Sequence, residues 1–160
     1  MIVISDTSPI NYLCRIGHIT ILPTLFKHVI IPLAVAKELS SPGAPEVVRR
    51  FISDSSSWWE IRAPRAIDPA LVEFGAGEQQ AISLAEELHA DLLIVDDHDA
   101  RQAAASKGIK VTGVLGVLKL AAEQQLLDFP QAVRELLHCG FYVSEDVLKR
   151  ITNLIEQQDK

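Results

Sequence analysis

The chain has 160 residues, 48% of them hydrophobic, and a formal net charge of -6 at neutral pH. That length and apolar content suit one globular domain with a real core and exclude a disordered class. The acidic balance excludes a general electrostatic grip on nucleic acid, which rests on lysine and arginine neutralising phosphates, while leaving a local basic patch open.

Cys14 and Cys139 lie far apart without paired spacing. This argues against a zinc cluster or a disulfide framework and reads as two buried thiols in a reducing cytoplasm. No basic region precedes the apolar start, Asp6 interrupts that run, and no stretch approaches the roughly 18 consecutive apolar residues of a membrane span. A soluble, cytoplasmic protein is expected.

In chain order, Ile2 to Ser5 predicts a buried strand that runs into Asp6. Thr7, Ser8 and Pro9 predict a helix start, a hydroxyl cap followed by proline in the first turn, and Gly17 its stop. The positive end of that helix lies beside Asp6 and favours anions. Thr7 and Ser8 either donate hydrogen bonds there or only cap the helix; both readings stand at this level.

Ile19 to Phe26 predicts a short apolar helix that Pro23 divides or restarts, and Val29 to Ile31 a second buried strand. Pro32 opens a helix to Leu39 that packs through Leu33, Val35, Ala36 and Leu39. Glu38 falls near its C-terminus, where a carboxylate opposes the macrodipole, and taken alone it reads as a solvated residue. Pro45 begins a further helix through Val48 and Ile52. Trp58 to Ile61 predicts a short edge strand whose neighbouring tryptophans could stack on bases of a single-stranded ligand, though core and rim is the preferred reading because strand geometry sends neighbours to opposite faces. Asp68 and Pro69 cap a brief helix containing Leu71, Val72 and Phe74.

Gly75 and Gly77 predict a tight turn into a helix ending near His89, with Glu78 in its first turn. An acid there is either ordinary dipole compensation or a group aimed at the sheet edge. The helix feeds Leu92 to Val95, whose unbroken apolar run predicts a parallel strand buried on both faces. That strand ends abruptly in Asp96, Asp97, His98 and Asp99. An alanine-rich helix follows to Lys107, with Arg101 and Lys107 plausible phosphate contacts but more often, for such residues, solvent-exposed charges. Lys110 to Val114 predicts another strand, Leu115 to Leu118 the start of a helix, Pro130 to His138 a helix, and Ser144 the cap of the last one. The five histidines lack metal-ligand spacing and are read as bystanders.

The alternation predicts an α/β sandwich around a parallel sheet with right-handed crossovers. Open parallel sheets bind ligands beyond the carboxyl ends of their strands, so Asp6 and Asp96 would meet there, with Glu38 and Glu78 at corresponding edges. Adjacent carboxylates raise one another's pKa unless a cation neutralises them, which suits Mg²⁺ or Mn²⁺. No cysteine, serine–histidine pair or Walker glycine loop competes for the chemistry. A receiver-like phosphoacceptor also carries an aspartate at a strand end, but Lys110 stands at the beginning of its strand and not at the end.

Four stretches, Ile4-Ser5-Asp6-Thr7-Ser8-Pro9, Val35-Ala36-Lys37-Glu38-Leu39, Gly75-Ala76-Gly77-Glu78-Gln79-Gln80-Ala81-Ile82, and Leu93-Ile94-Val95-Asp96-Asp97 followed by Gly113 to Leu118, resemble the PIN domain. The resemblance covers nearly the whole chain and leans toward the small prokaryotic proteins related to the VapC toxins. It implies a three-layer α/β/α sandwich with a central parallel sheet. It further implies a Mg²⁺- or Mn²⁺-dependent endoribonuclease acting on RNA, an antitoxin protein as partner, and a homodimer. By the same resemblance Asp6, Glu78 and Asp96 bind metal directly, Glu38 positions it through water, and Thr7 or Ser8 supports the site.

Two departures stand out. Many relatives have aspartate where Glu78 stands, and a threonine-containing turn where this chain reads Asp96-Asp97, which leaves the fourth acid open among Asp96, Asp97 and Asp99. The alternative reading is a PIN-like module that binds RNA or protein without turnover.

Overall fold

In the computed structural model, which describes residues 1–158, the chain builds one sheet of five parallel strands: β1 (Val3–Ser5), β2 (Val29–Pro32), β3 (Trp59–Arg62), β4 (Leu92–Ile94) and β5 (Val111–Thr112). Their spatial order is β3-β2-β1-β4-β5. Every residue of β1, β2 and β4 is buried, which is why these segments show no polar alternation: helices cover both faces. β3 lies at one edge and is half exposed.

The chain steps from β1 outward through β2 to β3, then returns to the other side of β1 for β4 and β5. The gap between β1 and β4 is therefore the topological switch point, where open α/β sheets leave a crevice at the strands' carboxyl ends. The same order decides against a receiver, in which strand 1 lies between strands 2 and 3; here β1 lies between β2 and β4.

The helices are α1 (Thr7–Arg15), α2 (Ile21–Phe26), α3 (Leu33–Leu39), α4 (Glu46–Ser53), α5 (Ala76–Leu88), α6 (His98–Ser106), α7 (Val114–Glu123), α8 (Phe129–His138) and α9 (Glu145–Gln158). Period-2 side-chain direction sorts the core into layers. Val3, Val29, Leu92 and Ile94 point to the face covered by α2, α7 and α8, where they meet Leu22, Leu118 and Leu136. Ile4, Ile30, Leu93 and Val95 point to the opposite face and meet Ile82 and Ala85 of α5 and Ala100 and Ala104 of α6. A third cluster joins Ile10 of α1 and Ile31 of β2 to Val35, Leu39, Val48 and Ile52 of α3 and α4. The result is a three-layer α/β/α sandwich.

Several local expectations differ from the structure. Leu33 is exposed and Ala34 takes the packing position instead; in so short a helix the apolar period admits both settings. The Ala34 amide donates to Gln80 Oε1 at 2.8 Å, which ties the start of α3 to α5. The brief helix after Asp68 is a single 3-10 turn, Pro69–Leu71, with Asp68 accepting from the Ala70 amide at 2.9 Å. Only Leu71 of its apolar residues is buried, and Val72 points to solvent. Cys14 is buried, as expected, while Cys139 is only half buried. Among the described residues no helix is long and apolar enough to cross a membrane.

Candidate metal centre

Each acid reaches the switch point on a different element. Asp6 is the N-cap residue of α1, with extended backbone at φ -77° and ψ 177°. Its amide donates to the Ile94 carbonyl at 2.9 Å, which ties it to the end of β4. Only 6% of its surface is exposed. Asp96 follows β4 directly and has both oxygens engaged: Oδ2 accepts from Ser8 Oγ at 2.8 Å and Oδ1 from the Val114 amide at 2.7 Å. Those donors come from the first turns of α1 and α7, so Asp96 pins two helix starts to the sheet edge.

Glu38 stands near the C-terminus of α3, where the dipole is unfavourable for an anion. Its Oε2 accepts from Thr7 Oγ1 at 2.6 Å, which supplies the missing donor. Thr7 and Ser8 therefore spend their hydroxyls on the acids of the site and do not cap α1. Glu78 comes from the first turn of α5.

Gly77, just before Glu78, makes the approach of these elements possible. A Cβ built there would lie 2.8 Å from Glu38 Oε1 and 3.4 Å from Asp6 Oδ1. The expected role of this glycine as a turn former gives way to a steric one, since α5 has already begun at Ala76. Gly113 plays the same part on the other side: a Cβ there would lie 2.8 Å from Asp96 Oδ1 and 3.3 Å from Arg101 Nη1.

The electrostatics follow from crowding without neutralisation. The Asp6 carboxyl is pushed up from 3.8 to about 7, first by burial and then by Glu78, Glu38 and Asp96, with the Thr7 amide opposing. Burial also raises Glu78, helped by Asp97 and Glu38. Asp96 is raised by burial too, but the Val114 amide, the Ser8 hydroxyl and the Arg101 guanidinium hold it back.

Asp97 is the N-cap of α6 and accepts from the Ala100 amide at 2.9 Å through Oδ2. It lines the same cleft as Asp6, Glu78 and Asp96, a cavity of about 800 Å³. Asp99, in the first turn of α6, is exposed and does not line that cleft. Glu38 is outside the cleft lining as well and reaches Asp6 from the α3 side of Gly77.

Two features of the cleft escaped the sequence reading, and a third, Arg101, entered it only as the lesser alternative. Arg101 is half buried and lines the cleft beside Asp96, not a free surface charge; its signal was its position one helical turn after Asp97, on the same face. His98 lines the cleft too. Phe141 to Ser144 and Val147 also line the cleft, and no motif in the sequence connects that segment to strands so distant along the chain. Lys107 turns away and pairs with Asp68 and, at 3.1 Å, with Glu86. His18 and His28 face Glu135 and Glu60.

All the converging donors are hard carboxylate oxygens, a set that suits Mg²⁺ or Mn²⁺ and not a soft-ligand metal. Among the described residues no three His, Cys, Asp or Glu side chains already form a closed ligand group.

A family model described as a PIN domain, DUF3368, matches residues 2–157. The chain is also similar to a solved structure of a PilT N-terminus domain protein from the hyperthermophilic archaeon Sulfolobus solfataricus P2. The TM-score is 0.58 at 20% sequence identity, covering 76% of this chain and 93% of that one. No curated protein matches. The structural likeness carries the fold, and the family model, spanning nearly every residue, carries the membership: this chain belongs to the PIN-domain family, whose fold is of nuclease type.

Proposed function

We propose that the protein is a Mg²⁺- or Mn²⁺-dependent endoribonuclease that hydrolyses RNA phosphodiester bonds. The observation that carries this reading is the convergence of Asp6, Glu78, Asp96 and Asp97 on one cleft at the switch point, where burial and the neighbouring Glu78, Glu38 and Asp96 push the Asp6 carboxyl up to about 7. Carboxylates crowded at the ligand edge of a parallel sheet repel one another, and a divalent cation bound among them relieves that repulsion. Asp6, Glu78 and Asp96 are the residues that would hold the ion, with Asp97 as a further acid on the cleft and Glu38 positioned behind Asp6. When bound, such an ion lowers the pKa of a water and offsets charge developing on the phosphodiester.

The chain's own residues orient the parts. Ser8 and the Val114 amide fix the direction of Asp96. Thr7 does the same for Glu38. Arg101, half buried beside Asp96, offers the cleft a guanidinium with the geometry to grip a phosphate. By family resemblance, the reading extends to the toxin of a toxin–antitoxin pair acting in the cytoplasm, as a homodimer held in check by an antitoxin.

Cleavage of mixed single-stranded RNA by the purified protein with Mn²⁺ or Mg²⁺, beside Asp6→Asn and Asp96→Asn, tests the reading. Activity lost to EDTA and to both substitutions supports it. One observation favours a second reading, a binding module without turnover: no three candidate ligands meet as a closed group among the described residues. Undiminished RNA affinity with no cleavage under any metal would select that module.

A further inference from the structure

The lining of the cleft includes a braced segment that carries one exposed aromatic ring. Phe141 is anchored, its ring meeting Tyr12 edge-on at 5.1 Å and 87°. Arg15 sits over that Tyr12 ring at 5.3 Å and donates to the Cys139 carbonyl at 3.0 Å, which fixes the chain just before Phe141. On the other side Ser144 Oγ accepts from the Val147 amide at 3.2 Å and caps α9. Between these two fixed points Tyr142 is 85% exposed.

A single exposed aromatic is ordinary on a protein surface. The location of this one is what carries an argument: Tyr142 lines the same cleft as Asp6, Asp96 and Arg101. At about 800 Å³ the cleft is larger than a metal ion and one phosphate require, and falls in the range of sites that hold a whole organic ligand. Carboxylates, a guanidinium and an exposed π-face in one cleft match the parts of a nucleotide: phosphate toward the acids and Arg101, base against the ring. Stacking needs an unpaired base, so the match is to a single strand and not a duplex.

We propose that Tyr142 is a stacking platform for one base of single-stranded RNA and positions the nucleotide whose phosphate lies over the carboxylates. This rests on the ribonuclease reading and adds a substrate-positioning residue to it. Every base presents a π-face, so the contact supplies affinity with little sequence preference.

The test uses the full chain with Tyr142→Ala, Tyr142→Phe and Tyr142→Trp, and a short fluorescein-labelled single-stranded RNA. Affinity is read by anisotropy in EDTA and in Ca²⁺, and cleavage in Mn²⁺. Tyr142→Ala is expected to weaken binding by about 5- to 150-fold, the effect of losing one stacked base, while the Phe and Trp variants stay close to wild type. In cleavage the alanine variant should raise KM and leave kcat nearly unchanged. Tyr142 makes no buried contact, so a folding defect is not expected, and circular dichroism checks this.

Unchanged affinity in Tyr142→Ala overturns the proposal, as does an equal loss in Tyr142→Phe, which would assign the effect to the hydroxyl. So does a wild type that binds no RNA in either condition. RNA cleavage with an unaltered KM in the alanine variant rejects the stacking role and leaves the ribonuclease reading standing. Tyr142-dependent binding without cleavage upholds the stacking role and rejects the ribonuclease reading.

Discussion

Replacing Asp6 by asparagine should stabilise the metal-free protein and abolish its function, and the size of the gain can be worked from the site. In the unfolded chain Asp6 ionises near 3.8; in the folded chain, buried and facing three other carboxylates, it ionises at about 7. Between these values the native state binds the extra proton, so stability falls as pH rises from about 4 to about 7 and stays low above that. At about 1.4 kcal/mol for each tenfold change in a protonation equilibrium, the penalty approaches about 4 kcal/mol, a large share of the roughly 5 to 15 kcal/mol that holds a domain folded. Asparagine keeps the shape and an oxygen for the Thr7 amide but carries no charge. In EDTA near pH 8, Asp6→Asn is therefore expected to gain about 2 to 4 kcal/mol over wild type, and near pH 5, about a third of the way through that window, about 1 to 1.5 kcal/mol. Urea unfolding followed by tryptophan fluorescence measures both. Mn²⁺ should raise the wild-type midpoint near pH 8 and leave the variant where it was. A wild type as stable near pH 8 as near pH 5 in EDTA, with no gain in the variant, would refute the claim that Asp6 is crowded and left without a compensating charge.

Other substitutions separate orientation from packing. Ser8→Ala removes the donor to Asp96 Oδ2 and should cost about 1 kcal/mol of stability while lowering Mn²⁺ affinity about 10- to 100-fold, read by titration calorimetry. The two close-approach glycines should behave differently. At Gly77 the obstructed atom is the free end of Glu38, which can swing aside by breaking its bond to Thr7; Gly77→Ala is expected to leave the urea midpoint nearly unchanged and to cut cleavage by about 100-fold, as a misplacement of about 1 Å does. At Gly113 the obstructed Asp96 is pinned by Ser8 and Val114, and the Val95 carbonyl stands 3.6 Å away. Gly113→Ala should therefore shift backbone and destabilise by about 1 to 3 kcal/mol, and an unchanged midpoint would show that Asp96 is not held.

The strands were legible because burial on both faces writes itself into composition: Leu92 to Val95 has no polar residue to signal an exposed side, and the carboxylates beyond it mark where the strand ends. The hydroxyls of Thr7 and Ser8 were legible only as an even choice between helix cap and site donor, which the structure decides for the site. Locally a helix cap and a site donor look alike, and their actual acceptors, Glu38 and Asp96, lie 31 and 88 positions away. Gly77 shows the same limit in another form. A sequence registers that glycine is conformationally free, whereas what the fold uses is the missing Cβ, visible only when Glu38 and Asp6 arrive from other elements. Asp97, Asp99 and Arg101 belong to one helix start, and only the setting of α6 against the sheet decides that Asp97 and Arg101 line the cleft and Asp99 does not.

Asp6 and Asp96 end neighbouring strands and look equivalent in sequence, yet the fold treats them differently, and the difference is measurable. Asp96 has a hydroxyl, a backbone amide and a guanidinium working against its burial. Asp6 makes no capping hydrogen bond with its side chain and has only the Thr7 amide to oppose burial and three like charges. One aspartate is an anchor whose charge the protein already answers; the other carries the demand for a cation. The loss of stability with rising pH should therefore belong to Asp6. Asp96→Asn is expected to keep most of the wild-type decline between about pH 5 and pH 8 in EDTA, since Asp6 loses only its smallest neighbouring repulsion. Its own gain near pH 8 should be smaller than that of Asp6→Asn, because it forfeits charge-assisted bonds to Ser8 and the Val114 amide, each worth about 1.5 to 3 kcal/mol. If the same urea series shows Asp96→Asn flattening the pH profile as fully as Asp6→Asn, the two carboxylates titrate as one coupled pair, and the division into anchor and cation seeker falls.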